Sequence, residues 1–330
     1  MHVNTQLLPA SSSSMYDDIQ LDINVVDVFH DILQTHTDMS TPVAAMKTLI
    51  ELIQHTKATT AQEFTRILEK AIHILKTSTR HPISVMAGCD LFLRYCALTR
   101  HDFDDFVSWK NYLVSLGTSL LEKAASQKHK IVQLALDFIR DGDTLLVHSY
   151  SRVVMQLLVS AARQHKRFRV FVTESRPSNS GYRVQEGLRD EGIPVTVILD
   201  TAVGMIMEQV DMVLCGAEGV VENGGLINQV GTYQMAVVAK AARKPFYAAA
   251  ESFKFVRWFP LNQYDLPMAT VEGLVKSVEA KKETLPGQGK DAALATAVDY
   301  TPPDYITLLL TDIGILTPSG VSEELIKLHL

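Results

Sequence analysis

The spacing of apolar positions changes once along the chain. From Asp17 to about Ile139 they recur at helical intervals, in VVDVFHDIL, VAAMKTLIELI, FTRILEKAIHIL, SVMAGCDLFLRYCAL and the long stretch KNYLVSLGTSLLEKAASQKHKIVQLALDFI. That period buries one face of each helix, so this half is predicted to be all-helical. HTDMSTP and TKATTAQE supply Ser/Thr/Asp helix starts, and Glu63, three residues after Thr60, completes a capping-box pattern.

After Asp141-Gly142-Asp143 short β-branched runs take over: TLLVHS, FRVFVTES, PVTVILD, DMVLCGA, PFYAAAE and YITLLLTD. Helical stretches separate them, SRVVMQLLVSAARQHK, GYRVQEGLRDEG, TAVGMIMEQV and TYQMAVVAKAARK. Such alternation predicts an α/β fold, a Rossmann-like doubly wound parallel sheet of about six strands flanked by helices. The expected division is a disordered tail over 1–15, a helical domain over 16–140 and the Rossmann-like domain over 141–330. WFPLNQYDLP and VKSVEAKKETLPGQGKDAA read as a long surface excursion, and VSEELIKLHL as a short amphipathic helix at the end.

Composition narrows the function classes. With 330 residues, 47% of them hydrophobic, the chain can bury a sizeable core. Its 31 Lys+Arg against 37 Asp+Glu leave a net charge of −6 and no basic cluster, which argues against DNA as a partner. The three cysteines are too few for a disulfide framework and lack the close pairing of a zinc site, so no metal is expected and the thiols read as reduced and buried. No apolar run is long enough to cross a bilayer, and MHVNTQLLPASSSS has neither a basic n-region nor targeting arginines. The expectation is a cytosolic protein whose ordered part begins near Met15.

In a doubly wound sheet ligands sit at the carboxyl ends of the strands. The stretches there are HSYSR, TESRP, LDTAVG, GAEGVVENGG and ESFKF, most of them carrying Ser, Thr, Arg or acidic groups before a helix start. That chemistry suits an anion, and it equally suits helix capping. The glycines of ENGG allow two readings: a phosphate cradle, or simply a turn from a strand into a helix. Neither GxGxxG nor GxxxxGK[ST] is present, so no dinucleotide site or P-loop is predicted, and no cofactor.

GAEGVVENGGLINQVGT, AESFKFVRWFPLNQYDLP, VDYTPPDYITLLLTDIGILTPSGVSEELIKL, LLVHSYSRVV and VTESRP together resemble the alpha/beta/delta subunit family of eukaryotic translation initiation factor 2B, its alpha branch most of all. The resemblance runs from about Val43 to Leu330. This family is related to methylthioribose-1-phosphate isomerase and ribose-1,5-bisphosphate isomerase. Those enzymes end their first strand in Thr-His-Cys and carry an Asp in Gly-Ala-Asp, where this chain has Val147-His148-Ser149 and Gly216-Ala217-Glu218. Serine is a far weaker proton donor or nucleophile than a thiol, and Glu218 moves its carboxylate by about 1.5 Å where ~1 Å can cost a hundredfold. Their Asn-Lys is replaced by Asn228-Gln229. The resemblance therefore implies a chain without catalytic residues.

The resemblance implies more about partners. It points to a homodimer that bridges two assemblies of beta, gamma, delta and epsilon subunits and lets the phosphorylated alpha chain of initiation factor 2 inhibit nucleotide exchange. Thr59, Thr60 and Glu63 are the expected contact for that phosphorylated chain, although a capping box stabilises a helix by ~1 kcal/mol with or without a partner. Glu174-Ser175-Arg176-Pro177 is similar to the isomerases' Glu-Thr-Arg-Pro, and Arg suits a bidentate phosphate contact. A retained sugar-phosphate or nucleotide pocket would then use Ser149, Arg152, Glu174, Arg176, Glu218, Asn228 and Gln229. The rival classes are an aldose-ketose isomerase with an altered acid/base pair, and a beta or delta subunit. The absence of a long basic extension argues against a delta subunit.

Overall fold

A computed structural model describes residues 18–36, 38–79, 82–266 and 298–329. The serine-rich start, Met15 and VKSVEAKKETLPGQGKDAA lie outside them. The chain forms two compact units, the first ending at Glu122 and the second beginning at Lys123.

The first unit is helical, as its period predicts. It contains α1 (Val25–Thr35), α2 (Thr41–His55), α3 (Ala61–Ser78), α4 (Pro82–Thr99) and the start of α5 (Phe106–Ala135), which ends in the second unit. Asn24 caps α1 by accepting from the Val26 and Asp27 amides. α2 and α4 approach closely at Gly88, where a Cβ would lie 2.3 Å from the Pro42 carbonyl oxygen. Phe64 on α3 is buried edge-on against Phe106 and Trp109.

The second unit is built on a seven-stranded sheet of order β11-β10-β7-β4-β1-β2-β3. Its strands are β1 (Thr144–His148), β2 (Arg169–Thr173), β3 (Val195–Ile198), β4 (Met212–Gly216), β7 (Phe246–Ala249), β10 (Leu308–Thr311) and β11 (Gly314–Leu316). The six runs read from the sequence are the first six of these, and all pair in parallel. Counted in chain order they are arranged 3-2-1-4-5-6, the doubly wound order whose switch point lies between β1 and β4. β11 adds an antiparallel edge.

Alternation along the strands feeds two cores. Leu145, Val147, Met212 and Leu214 pack with the end of α5, α6 (Arg152–Arg163) and α7 (Ser180–Asp190). Leu146, Val213 and Cys215 pack with α8 (Val203–Ile206), α9 (Thr232–Ala241) and α10 (Gly320–His329). All three cysteines are free and buried, and burial pushes the Cys89 and Cys96 thiols up to about 12.

A second sheet of order β8-β5-β6-β9 was not foreseen. It consists of β5 (Gly219–Val221), β6 (Leu226–Gln229), β8 (Phe255–Val256) and β9 (Val298–Thr301). The glycine-rich stretch after β4 is therefore a hairpin joining β5 to β6, not a loop running straight into a helix. Gly224 has φ of +80°, and a Cβ there would meet the Pro318 carbonyl oxygen at 2.0 Å. The backbone at Gly224 is closed against Pro318, which gives this glycine a role in the turn. TAVGMIMEQV, expected as one helix, is broken into a short α8 between two 3₁₀ turns.

Candidate functional site

The carboxyl ends of β1 and β2 carry the densest polar network of the second unit. Three non-glycine residues there have left-handed backbones: Ser149 (φ 62°), Ser175 (φ 59°) and Asn179 (φ 59°). Such strain clusters where loops are shaped for function. The peptide bond Arg176-Pro177 is cis.

Ser149 follows β1 directly. Its hydroxyl donates to Gln229 Oε1 at 2.5 Å, and its amide donates to the Ser175 hydroxyl at 2.8 Å. Gln229, buried at the end of β6, turns its amide nitrogen to the Ser175 carbonyl at 3.2 Å and to the Ser178 hydroxyl. Ser180 Oγ lies 3.4 Å from Ser149 Oγ and 3.3 Å from Gln229 Oε1. A single side-chain amide thus ties the loop after β1 to the loop after β2.

His148 is fully buried beside this network. Its Nε2 lies 3.0 Å from the Val230 carbonyl oxygen, which can only accept, so Nε2 carries the proton and Nδ1 accepts from Thr173 Oγ1 at 2.6 Å. Burial lowers the imidazole's pKa, against the opposing pull of the Asp200 charge, and keeps it neutral. Both ring nitrogens are occupied, and neither addresses Ser149. Gly231 lies against the ring: its φ is +105°, and a Cβ would come within 2.8 Å of His148 Cε1.

The other sequence-derived residues divide. Glu174 and Arg176 meet each other, with Oε2 and Nε 3.1 Å apart, Glu174 buried and Arg176 open to solvent. Asn228 is turned away from the hydroxyl cluster: its amide donates to Thr232 Oγ1 at 3.0 Å and holds the turn into α9. Arg152 is the first residue of α6, behind the Ser151 cap. Glu218, half-buried, stands between β4 and β5, its amide bonded to the Ile227 carbonyl at 2.9 Å.

Sequence reasoning missed two carboxylates. Asp200, immediately after β3, accepts from the Ser175 and Arg176 amides at 2.9 and 2.8 Å and so sets the loop that carries Arg176. Its place at a strand's carboxyl end was the available signal. Asp299 on β9 accepts from the Gly231 and Tyr233 amides at 2.7 and 3.0 Å, capping α9 from another strand. Burial pushes it up to about 7, although those amide bonds pull the other way. No group of side chains among the described residues could hold a metal ion, and no described helix is long and apolar enough to cross a membrane.

In the helical unit, Thr60 caps α3 by accepting from the Glu63 amide at 3.3 Å, and Glu63 Oε2 accepts from the Thr59 amide at 3.0 Å. The reciprocal bond therefore closes one residue before the cap. Thr59 also borders a cleft of about 510 Å³ with Gln54, Phe106, Val107 and Lys110.

The model of the initiation factor 2 subunit family matches residues 34–318. The chain belongs to that family. It is 44% identical over 309 residues to "Translation initiation factor eIF2B subunit alpha" of Dictyostelium discoideum, covering 92% of this chain and 96% of that one. It is 32% identical over 215 residues to the ribose 1,5-bisphosphate isomerase of Methanocaldococcus jannaschii, 64% of this chain and 67% of that one. Its fold matches a chain in the crystal structure of the tetrameric eIF2B-beta2-delta2 complex from C. thermophilum, with a TM-score of 0.73 at 18% identity, covering 97% and 99%. The relatives thus include both factor subunits and isomerases, and the residues at the strand ends bear on the choice between them.

Proposed function

We propose that this chain is a non-catalytic regulatory subunit of the cytosolic guanine-nucleotide exchange factor for initiation factor 2. In this reading it forms a homodimer through its α/β unit, bridges two assemblies of beta, gamma, delta and epsilon subunits, and lets the phosphorylated alpha chain of initiation factor 2 inhibit exchange. The observation that carries it is the likeness to an eIF2B alpha subunit along nearly the full length of both chains. Thr59, Thr60 and Glu63 are the proposed contact for the phosphorylated chain.

The bonding around Ser149 supports the non-catalytic part. An aldose-ketose isomerase needs a group that takes and returns a proton at the reacting carbon. Ser149 instead donates its hydroxyl hydrogen bond to an amide oxygen, and its neighbour His148 is neutral and engaged at both nitrogens. The test is GDP release by the beta, gamma, delta and epsilon subunits, with and without this chain, titrated with phosphorylated initiation factor 2. Inhibition that sharpens only when the chain is present is expected; indifference to the chain would sink the reading.

A second reading, that the strand ends still bind a sugar phosphate or nucleotide without turning it over, is favoured by the exposed Arg176 guanidinium in the loop after β2, whose neighbour Ser175 bonds to the Ser149 amide. Isothermal titration against a panel of such compounds should find one that binds below millimolar concentration, and failure across the panel would remove it.

A further inference from the structure

β3 ends the seven-stranded sheet, and among the described residues no strand covers its outer edge. The Val170 amide bonds to the Pro194 carbonyl and the Glu174 amide to the Ile198 carbonyl, so 194, 196 and 198 face β2. In a parallel ladder the alternate residues then point their amides and carbonyls outward, which leaves those of Val195 and Val197. Beside that edge runs a groove of about 350 Å³, lined by Val195, Val197 and Leu199 and by Tyr182, Gln185 and Arg189 on α7. Tyr182 is 51% exposed and Leu199 60%.

Natural sheets blunt an open edge with a very short strand, Lys, Pro, a bulge or an inward charge. β3 is short and follows Pro194, but VTVI itself carries no charge and no proline. The groove's one charge is Arg189, which no ion pair among the described residues holds and which no carboxylate in the lining balances. It is a single positive charge on the groove wall; the nearest carboxylates in sequence, Glu186, Asp190 and Glu191, lie outside the lining.

We propose that the β3–α7 groove takes an extended segment of a partner protein, added to the sheet as a further strand, with alternating apolar or β-branched residues and a carboxylate that meets Arg189. Two outward peptide groups supply up to four main-chain hydrogen bonds, while Tyr182 and Leu199 cover alternate side chains. A second copy of this chain fits less well, because two-fold pairing of β3 with β3 brings two Arg189 side chains to one seam without a counter-charge.

The probe is a blocked heptapeptide of alternating valine and threonine with one central glutamate, set against the same peptide with lysine. Hydrogen exchange across residues 193–199 of the full chain should slow on adding the glutamate peptide, at roughly threefold lower concentration than the lysine peptide, the scale of an exposed ion pair. Arg189→Glu, a surface change, should reverse that preference, and Val197→Pro should abolish protection by removing an outward amide. Equal protection by both peptides, or by neither, overturns the proposal, as does a preference unchanged in Arg189→Glu. Protection already present in the free chain and lost together with a dimer mass would assign the edge to a second copy and overturn it as well.

Discussion

The strand-end network of the α/β unit and the turn before α3 use the same residue types in opposite ways. Around Ser149 the hydroxyls and the Gln229 amide are spent on one another, with Ser175 and Gln229 buried and Ser149 and Ser180 half-buried. At Thr59, Thr60 and Glu63 the side chains satisfy a helix terminus while remaining exposed. A polar group already satisfied inside the protein gains little by reacting, whereas one that caps a helix at the surface still presents its outer side to a partner. The contrast is what the proposed function requires of the two places.

The contrast can be broken first at Asp299, which anchors the segment carrying Gln229 and Val230. Its folded pKa of about 7 stands above its ordinary 3.8, so the fold favours the protonated carboxyl. The stability this contributes is full below pH ~4 and is lost as pH rises through 7, on the order of 2–4 kcal/mol in all. His148 has the opposite sign: its depressed pKa contributes stability above its ordinary 6.5, lost on acidification. Urea unfolding of Asp299→Asn at a series of pH values should therefore show a flatter loss of stability between pH 4 and 8 than the parent, and equal slopes would refute the assignment.

A smaller effect is expected for Gln229→Ala. It strands the Ser149 hydroxyl and removes the tie between two loops, and should cost about 1–3 kcal/mol of unfolding free energy. A change within a few tenths would mean that water replaces the amide and that the cluster is open after all. Smallest for stability is Glu63→Lys, which loses the bond to the Thr59 amide at a cost of about 0.5–1 kcal/mol. The protein should stay folded while, on the proposed function, inhibition by the phosphorylated factor weakens; an unchanged inhibition curve would remove this turn from the contact.

How much of this could be read from sequence followed from element length and period. The six parallel strands of the main sheet are four- or five-residue apolar runs between helical stretches, and all were legible. β5, β6, β8 and β9 have two to four residues, one opening with a glycine; β5 and β6 form a local hairpin, but β8 and β9 pair with them from 35 and about 70 residues away, so short length and distance hide the sheet. At the site, Ser149 and Gln229 were legible as motif positions. Ser175, Ser178 and Ser180 were not assigned roles, because their place depends on left-handed turns at Ser175 and Asn179 that no residue type announces. Asn228 looked like a pocket residue and holds a helix start instead.

The strand order has a consequence for synthesis. β1 sits in the middle of the sheet, but the residues that complete its second side lie 67 positions further on, as in the bond between the Thr144 amide and Asp211. At ~5–20 residues per second a ribosome needs roughly 3–13 seconds to make that length. Through that interval β2 and β3 can already be laid down while the other edge of β1, TLLVH, stands bare on the nascent chain. The same arrangement that puts Ser149 at the switch point makes its strand the one in the main sheet whose second edge waits longest for its partner.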